Sequence, residues 1–154
     1  MTNPPRAEDG LDPFSDHALP RARDIVKVLL VDDDPVDVAL VKQASLGGNQ
    51  MDLFYVACAT IPVAMTALAH ETFDVAMVDY WLGHETSIAL IQDVRREFGL
   101  PCILLTGLDT PDIRRIGFRA GAAGFLAKDG LFVQAIESAV LSALNTVAPR
   151  PGRV

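Results

Sequence analysis

The chain has 154 residues, half of them hydrophobic, which suits one globular domain with a sizeable core. Its 20 acidic and 13 basic side chains leave a net charge of -7, which argues against nucleic acid or an anionic membrane as a direct partner. No apolar run approaches the ~20 residues of a membrane span and no apolar signal-peptide core opens the chain, so a cytoplasmic protein is expected.

Residues 1–24 hold Pro4, Pro5, Pro13 and Pro20 among acidic and small residues, without a hydrophobic period. They are expected to form an extended or disordered arm. From there strand-like and helix-like segments alternate. Val26–Val31 is an apolar strand run, and Pro35–Leu46 has helical spacing at Val38, Val41 and Leu46 before a Gly47-Gly48-Asn49 stop. Met51–Cys58 alternates as a strand, Pro62–Glu71 is helical, and Phe73–Asp79 is a strand. Thr86–Phe98 reads as a helix capped by Thr86, Leu100–Gly107 as a strand, and Thr110–Gly121 as a helix with Thr110 as cap and Pro111 in its first turn. Ala123–Lys128 is the last strand and Leu131–Asn145 the last helix. The domain is expected over residues 25–147, with a short tail at 148–154.

Five strand–helix units imply an α/β fold: a doubly wound, five-stranded parallel sheet with five helices, in the flavodoxin-like order 2-1-3-4-5. Such folds place ligands at the carboxyl ends of the strands. Asp32 and Asp33 end the first strand, Asp79 the third, Thr106-Gly107 the fourth and Lys128 the fifth, while Cys58-Ala59-Thr60 ends the second without obvious chemistry. Each residue alone has a commonplace reading as a turn residue, cap, β-former or surface charge. Together they place three carboxylates, a hydroxyl and an ammonium in one shallow pocket. Clustered carboxylates raise one another's pKa unless a cation neutralises them, and hard oxygen donors suit Mg²⁺. The cation and Lys128 would offset charge on a phosphoryl group, and the Thr106 hydroxyl could donate to it. The neighbouring acids have local jobs: Asp34 precedes Pro35 and reads as an N-cap, and Asp37 falls in the helix's first turn, where the dipole favours acid. Cys58 and Cys102 adjoin apolar strand runs, show no CxxC spacing and are expected to be buried free thiols. His17, His70 and His84 are scattered and make no zinc site.

The runs "LLVDD", "FDVAMVD", "CILLTG" and "AGAAGFLAK", in that order, resemble the receiver domain of two-component response regulators. The resemblance implies that Asp79 is the phosphoacceptor. It implies Mg²⁺ held by Asp33 directly, by Asp32 through water, by Asp79 and by the Trp81 backbone carbonyl. Thr106, Gly107 and Lys128 would bind the phosphoryl group. Phe125, three residues before Lys128, stands where the family places its aromatic switch residue, although an aromatic on a strand is also ordinary core. The donor would be a phosphohistidine on a sensor histidine kinase or histidine phosphotransfer protein. The protein would be a phosphoacceptor that assists its own phosphorylation and dephosphorylation rather than an enzyme.

The chain departs from the family pattern in three places. Asp129 follows Lys128 where proline with a cis bond is usual; a cis bond to a non-proline residue costs ~3–4 kcal/mol, so a trans bond or a rearranged loop is expected. Trp81 and Leu108 stand at the two positions that flank the phosphoryl site, where large apolar side chains could shield it from water. No output domain follows the last helix, so a stand-alone receiver signalling by docking to a downstream protein is expected. Val133, Leu141 and Leu144 widen that helix's apolar stripe and, with Arg114, Arg115 and Arg119 on the fourth helix, outline a partner face or a homodimer through the fourth and fifth helices. A degenerate receiver, binding partners without phosphorylation, is the alternative. A phosphatase with an aspartate nucleophile needs a second acid two residues on, where Trp81 stands, and a flavin site needs a glycine- or hydroxyl-rich loop where the acids stand.

Overall fold

The computed structural model describes residues 23–146. The expected tail and all but the last two residues of the expected arm lie outside them. Five parallel strands make the main sheet: β1 (Ile25–Val31), β2 (Asp52–Cys58), β3 (Val75–Asp79), β6 (Cys102–Thr106) and β7 (Gly124–Ala127). Between β3 and β6 lies a two-stranded antiparallel hairpin, β4 (Trp81–Leu82) and β5 (Glu85–Thr86). The helices are α1 (Pro35–Ala44), α2 (Ile61–His70), α3 (Ile88–Phe98), α4 (Pro111–Ala120) and α5 (Val133–Leu144). The sheet order β2-β1-β3-β6-β7 is the expected 2-1-3-4-5 once the hairpin is set aside.

Successive residues of the buried strands face opposite layers. Leu29, Val31, Ala76, Val78, Cys102 and Leu104 pack under α2, α3 and α4 through Ala64, Leu68, Leu90, Ile91, Val94 and Ala120. Val28, Leu30, Val75, Met77, Ile103 and Leu105 pack under α1 and α5 through Val41, Ile136, Val140 and Ala143. Cys58 and Cys102 are buried and free, as expected, and burial pushes the Cys102 thiol up to about 12.

Caps hold the strand-to-helix turns short. Asp34, Thr60 and Thr110 each accept an N–H of the following first turn, from Val36, Val63 and Ile113 at 2.9, 3.3 and 3.2 Å. Each of those helices also has proline in its first turn. Several boundaries differ from expectation, and three of the differences move a named residue. Thr86 is not a cap: it belongs to β5 opposite Trp81, and α3 begins at Ile88 after Ser87. α1 ends at Ala44, which leaves Leu46 beyond it and 74% exposed. α5 begins at Val133 rather than Leu131. At the far end of the sheet from the site, the buried Glu137 of α5 accepts the N–H groups of Gln50 and Met51 at 2.9 and 3.2 Å and ties down the loop after α1.

Candidate functional site

β1 and β3 run side by side, with Val31 in register with Val78, so the residues after them emerge together. Asp32 is 2% exposed; its N–H bonds the Cys58 carbonyl at 3.1 Å and its Oδ1 accepts the Asp34 N–H at 3.0 Å. Asp79 ends β3 and is also buried. Asp33 is exposed and accepts the Gly83 N–H from the hairpin turn at 3.0 Å. One carboxylate oxygen from each of Asp32, Asp33 and Asp79 lies within 4.8 Å of the others. Oδ2 of Asp32 is buried and faces Lys128 Nζ at 2.9 Å as an ion pair. Three converging carboxylates with a single ammonium among them leave excess negative charge on hard oxygen donors, which fits a cation such as Mg²⁺.

β7 delivers the ammonium. Lys128 N–H bonds the Thr106 carbonyl at 2.8 Å, and the Lys128–Asp129 bond is trans, one of the two outcomes expected. Its Nζ lies 2.7 Å from Asp37, 2.9 Å from Asp32 and 3.1 Å from Asp79. Burial alone would lower the Lys128 pKa, but the hydrogen bonds it donates to Asp37, Asp32 and Asp79 outweigh it and hold the ammonium above its usual range. For Asp79 burial dominates and lifts the carboxyl to about 6; the Asp32 charge adds to this, while Lys128 and the Trp81 N–H oppose it.

The remaining residues surround this cluster. The Thr106 hydroxyl donates to the Leu108 carbonyl at 2.8 Å and accepts the Leu108 N–H at 3.0 Å, so it is turned into its own loop. Gly107 lies in that loop and is exposed. Trp81 and Leu108 are 51% and 64% exposed at the rim, and Trp81 meets Tyr80 edge-on at 5.3 Å. Phe125 is half-buried. Its ring meets Phe118 at 4.7 Å, and the Arg114 guanidinium carbon stands 5.5 Å from its centroid. A β-carbon on Gly117 would come within 2.8 Å of that ring, so the glycine makes room for it.

The expected partner face is largely engaged within the chain. Arg114 pairs with Asp109 through two short bonds, of 2.5 and 2.6 Å, and Arg115 with Asp112 at 2.7 Å, while Arg119 is exposed. Val133 rests against the Gly48 loop, Leu144 is half-buried beside the core, and Leu141 is 39% exposed. Two features were not anticipated. The hairpin lay in a segment read as loop; the local signal is Gly83 at the first turn position, at φ +64. The other is Asp37, assigned to the helix dipole, whose carboxylate reaches Lys128.

Residues 28–139 match the family described as the response regulator receiver domain. The chain belongs to that family. It is 28% identical over 102 residues to the transcriptional activator protein PfeR of Pseudomonas aeruginosa, covering 66% of this chain and 32% of that protein. It is 31% identical over 103 residues to the two-component response regulator ORR21 of Oryza sativa subsp. japonica, covering 67% of this chain and 15% of that protein. The receiver thus spans about a third or less of these curated relatives. Among solved structures it resembles a CheY-like receiver domain protein from Methanospirillum hungatei JF-1, with TM-score 0.64, 20% identity and coverage of 80% of this chain and 96% of the other. It also resembles the Vibrio cholerae chemotaxis protein CheY4, with TM-score 0.64, 21% identity and coverage of 78% and 99%. No helix among the described residues is long and apolar enough to cross a membrane.

Proposed function

We propose that this receiver accepts a phosphoryl group on Asp79 from a phosphohistidine of a sensor histidine kinase or histidine phosphotransfer protein, and signals by protein–protein docking in the cytoplasm. The observation that supports this best is Lys128 Nζ at 3.1 Å from Asp79, beside the Asp32, Asp33 and Asp79 cluster. A receiver that only bound partners would have no need of a half-buried ammonium aimed at its third strand end.

Asp32, Asp33, Asp79 and the Trp81 carbonyl would hold Mg²⁺, which when bound neutralises the acids and offsets charge on the transferring phosphoryl group. An Asp79 carboxylate oxygen attacks phosphorus in line; the P–O bond forms, the P–N bond breaks, and the donor imidazole leaves with its electron pair. Lys128 steadies the phosphoryl oxygens from the β7 side. The Thr106 hydroxyl gives up Leu108 to donate to a phosphoryl oxygen, which moves the loop carrying Asp109. Asp109 holds Arg114, and Arg114 stands over Phe125, so the shift reaches α4 and β7 through touching groups. Phe125 is the switch in this reading, and α4 with α5 is the surface that partners, or a second copy, would meet. The chain takes part in its own phosphorylation and is not read as a turnover enzyme.

The test is a phosphotransfer profile against labelled histidine kinases and phosphotransfer proteins. The reading expects fast transfer from one cognate donor to the natural chain and none to Asp79→Asn. Equal labelling of the two, or no labelling from any donor, would overturn it.

A further inference from the structure

The first turn of α1 brings a fourth acid to the site, and we infer that Asp37 is a positioning residue that keeps Lys128 in place when Mg²⁺ engages the other acids. The inference rests on the Mg²⁺ site proposed above. An ammonium has three N–H donors, and three carboxylates surround this one, with Asp37 the nearest at 2.7 Å. Asp32 and Asp79 also belong to the cluster whose oxygens converge within 4.8 Å, and Asp37 does not. Two of the three partners of Lys128 are therefore shared with the cation site, and one is reserved for the ammonium.

This division decides how cation and ammonium compete. Lys128 meets Asp32 and Asp79 through their Oδ2 atoms, and a hard cation draws on the same two carboxylates. Without Asp37 the ammonium has only those two, and it opposes the cation at both. With Asp37 it has a partner of its own and can yield the others. The same arrangement serves the phosphorylated state: one N–H stays on Asp37 while the other two turn to phosphoryl oxygens. The helix-dipole account explains an acid in the first turn. It does not explain why its carboxylate bonds a lysine 91 residues away. The Asp37 side chain is 29% exposed, so its replacement leaves the core intact.

The test is a double-mutant cycle on the Mg²⁺ Kd of the full chain, read by calorimetry or by the fluorescence of Trp81, the single tryptophan. Asp37→Ala should raise the Kd by about tenfold when Lys128 is present, because the ammonium then competes fully for Asp32 and Asp79. In Lys128→Ala, adding Asp37→Ala should raise the Kd by no more than about twofold, the effect of losing one distant, screened charge. Equal effects of Asp37→Ala in the two backgrounds would reduce Asp37 to a plain charge and overturn the inference, as would an unchanged Kd in the natural background. No Mg²⁺ saturation of the natural chain would overturn the Mg²⁺ site and this inference together, whereas additivity overturns this inference alone.

Discussion

Replacing Asp79 by asparagine should stabilise the metal-free fold above pH 6 and leave its stability unchanged near pH 4. Burial, helped by the Asp32 charge, lifts the Asp79 carboxyl from 3.8 to about 6 in spite of Lys128 and the Trp81 N–H. The folded chain therefore binds this proton more tightly than the unfolded chain does. The group's favourable contribution is full below its ordinary pKa near 4 and is lost as pH rises through 6. Above that, ionised Asp79 costs stability. Moving the carboxyl from 3.8 to about 6 corresponds to about 3 kcal/mol. The Asp79 side chain keeps 12% exposure at the carboxyl end of the sheet, and halving for solvent screening leaves about 1.5 kcal/mol. For a domain of this size that raises Tm by about 5 °C. The assay is thermal or urea unfolding of the two chains at pH 4, 6 and 8 with a chelator present. A variant less stable than the natural chain at pH 8, or equally stabilised at pH 4 and pH 8, would refute the reasoning.

Mg²⁺ should raise the melting temperature of the natural chain, Asp33→Ala should abolish that rise, and Asp34→Ala should keep it while lowering basal stability by about 1 kcal/mol through loss of the α1 cap. Thermal scans with and without Mg²⁺ check this; a retained Mg²⁺ effect in Asp33→Ala would remove Asp33 from the metal site. Gly117→Ala should cost about 1–3 kcal/mol and displace the Phe125 ring, since the new carbon would fall 2.8 Å from Phe125 and 3.0 Å from Leu104. Denaturant titration with aromatic NMR reads both effects, and an unmoved Phe125 signal would contradict the packing. Trp81→Asn should shorten the lifetime of the phosphorylated chain by opening Asp79 to water; an unchanged decay rate would remove Trp81 as a shield.

Most of the sheet was legible because a parallel strand covered on both faces is an unbroken apolar run, as in Val28–Val31 and Ile103–Leu105. The cluster was legible for the same reason: parallel strands deliver Asp32, Asp79, Thr106 and Lys128 to one end of the sheet, so chain order alone brings them together. What was not legible depended on partners that no local pattern names. The β4–β5 hairpin has two pairs of residues, too few for alternation to register, and it took Thr86 from α3. Val133 and Leu144 look surplus on a helical wheel, yet the loop near Gly48 and the core beside β1 take them up. Asp37 already had a sufficient local reason to be acidic, which hid its contact with Lys128. The Thr106 hydroxyl is bonded to its own turn, a choice between local and distant partners that sequence leaves open.

The central claim is that Asp79 accepts a phosphoryl group with help from a divalent cation and Lys128. Its most direct test is intact mass and peptide mapping of the chain after incubation with acetyl phosphate and Mg²⁺. The account predicts one added phosphoryl group, located on Asp79, lost when Mg²⁺ is chelated and absent in Asp79→Asn. A phosphoryl group found on another residue, or none on the natural chain with Mg²⁺ present, would contradict it.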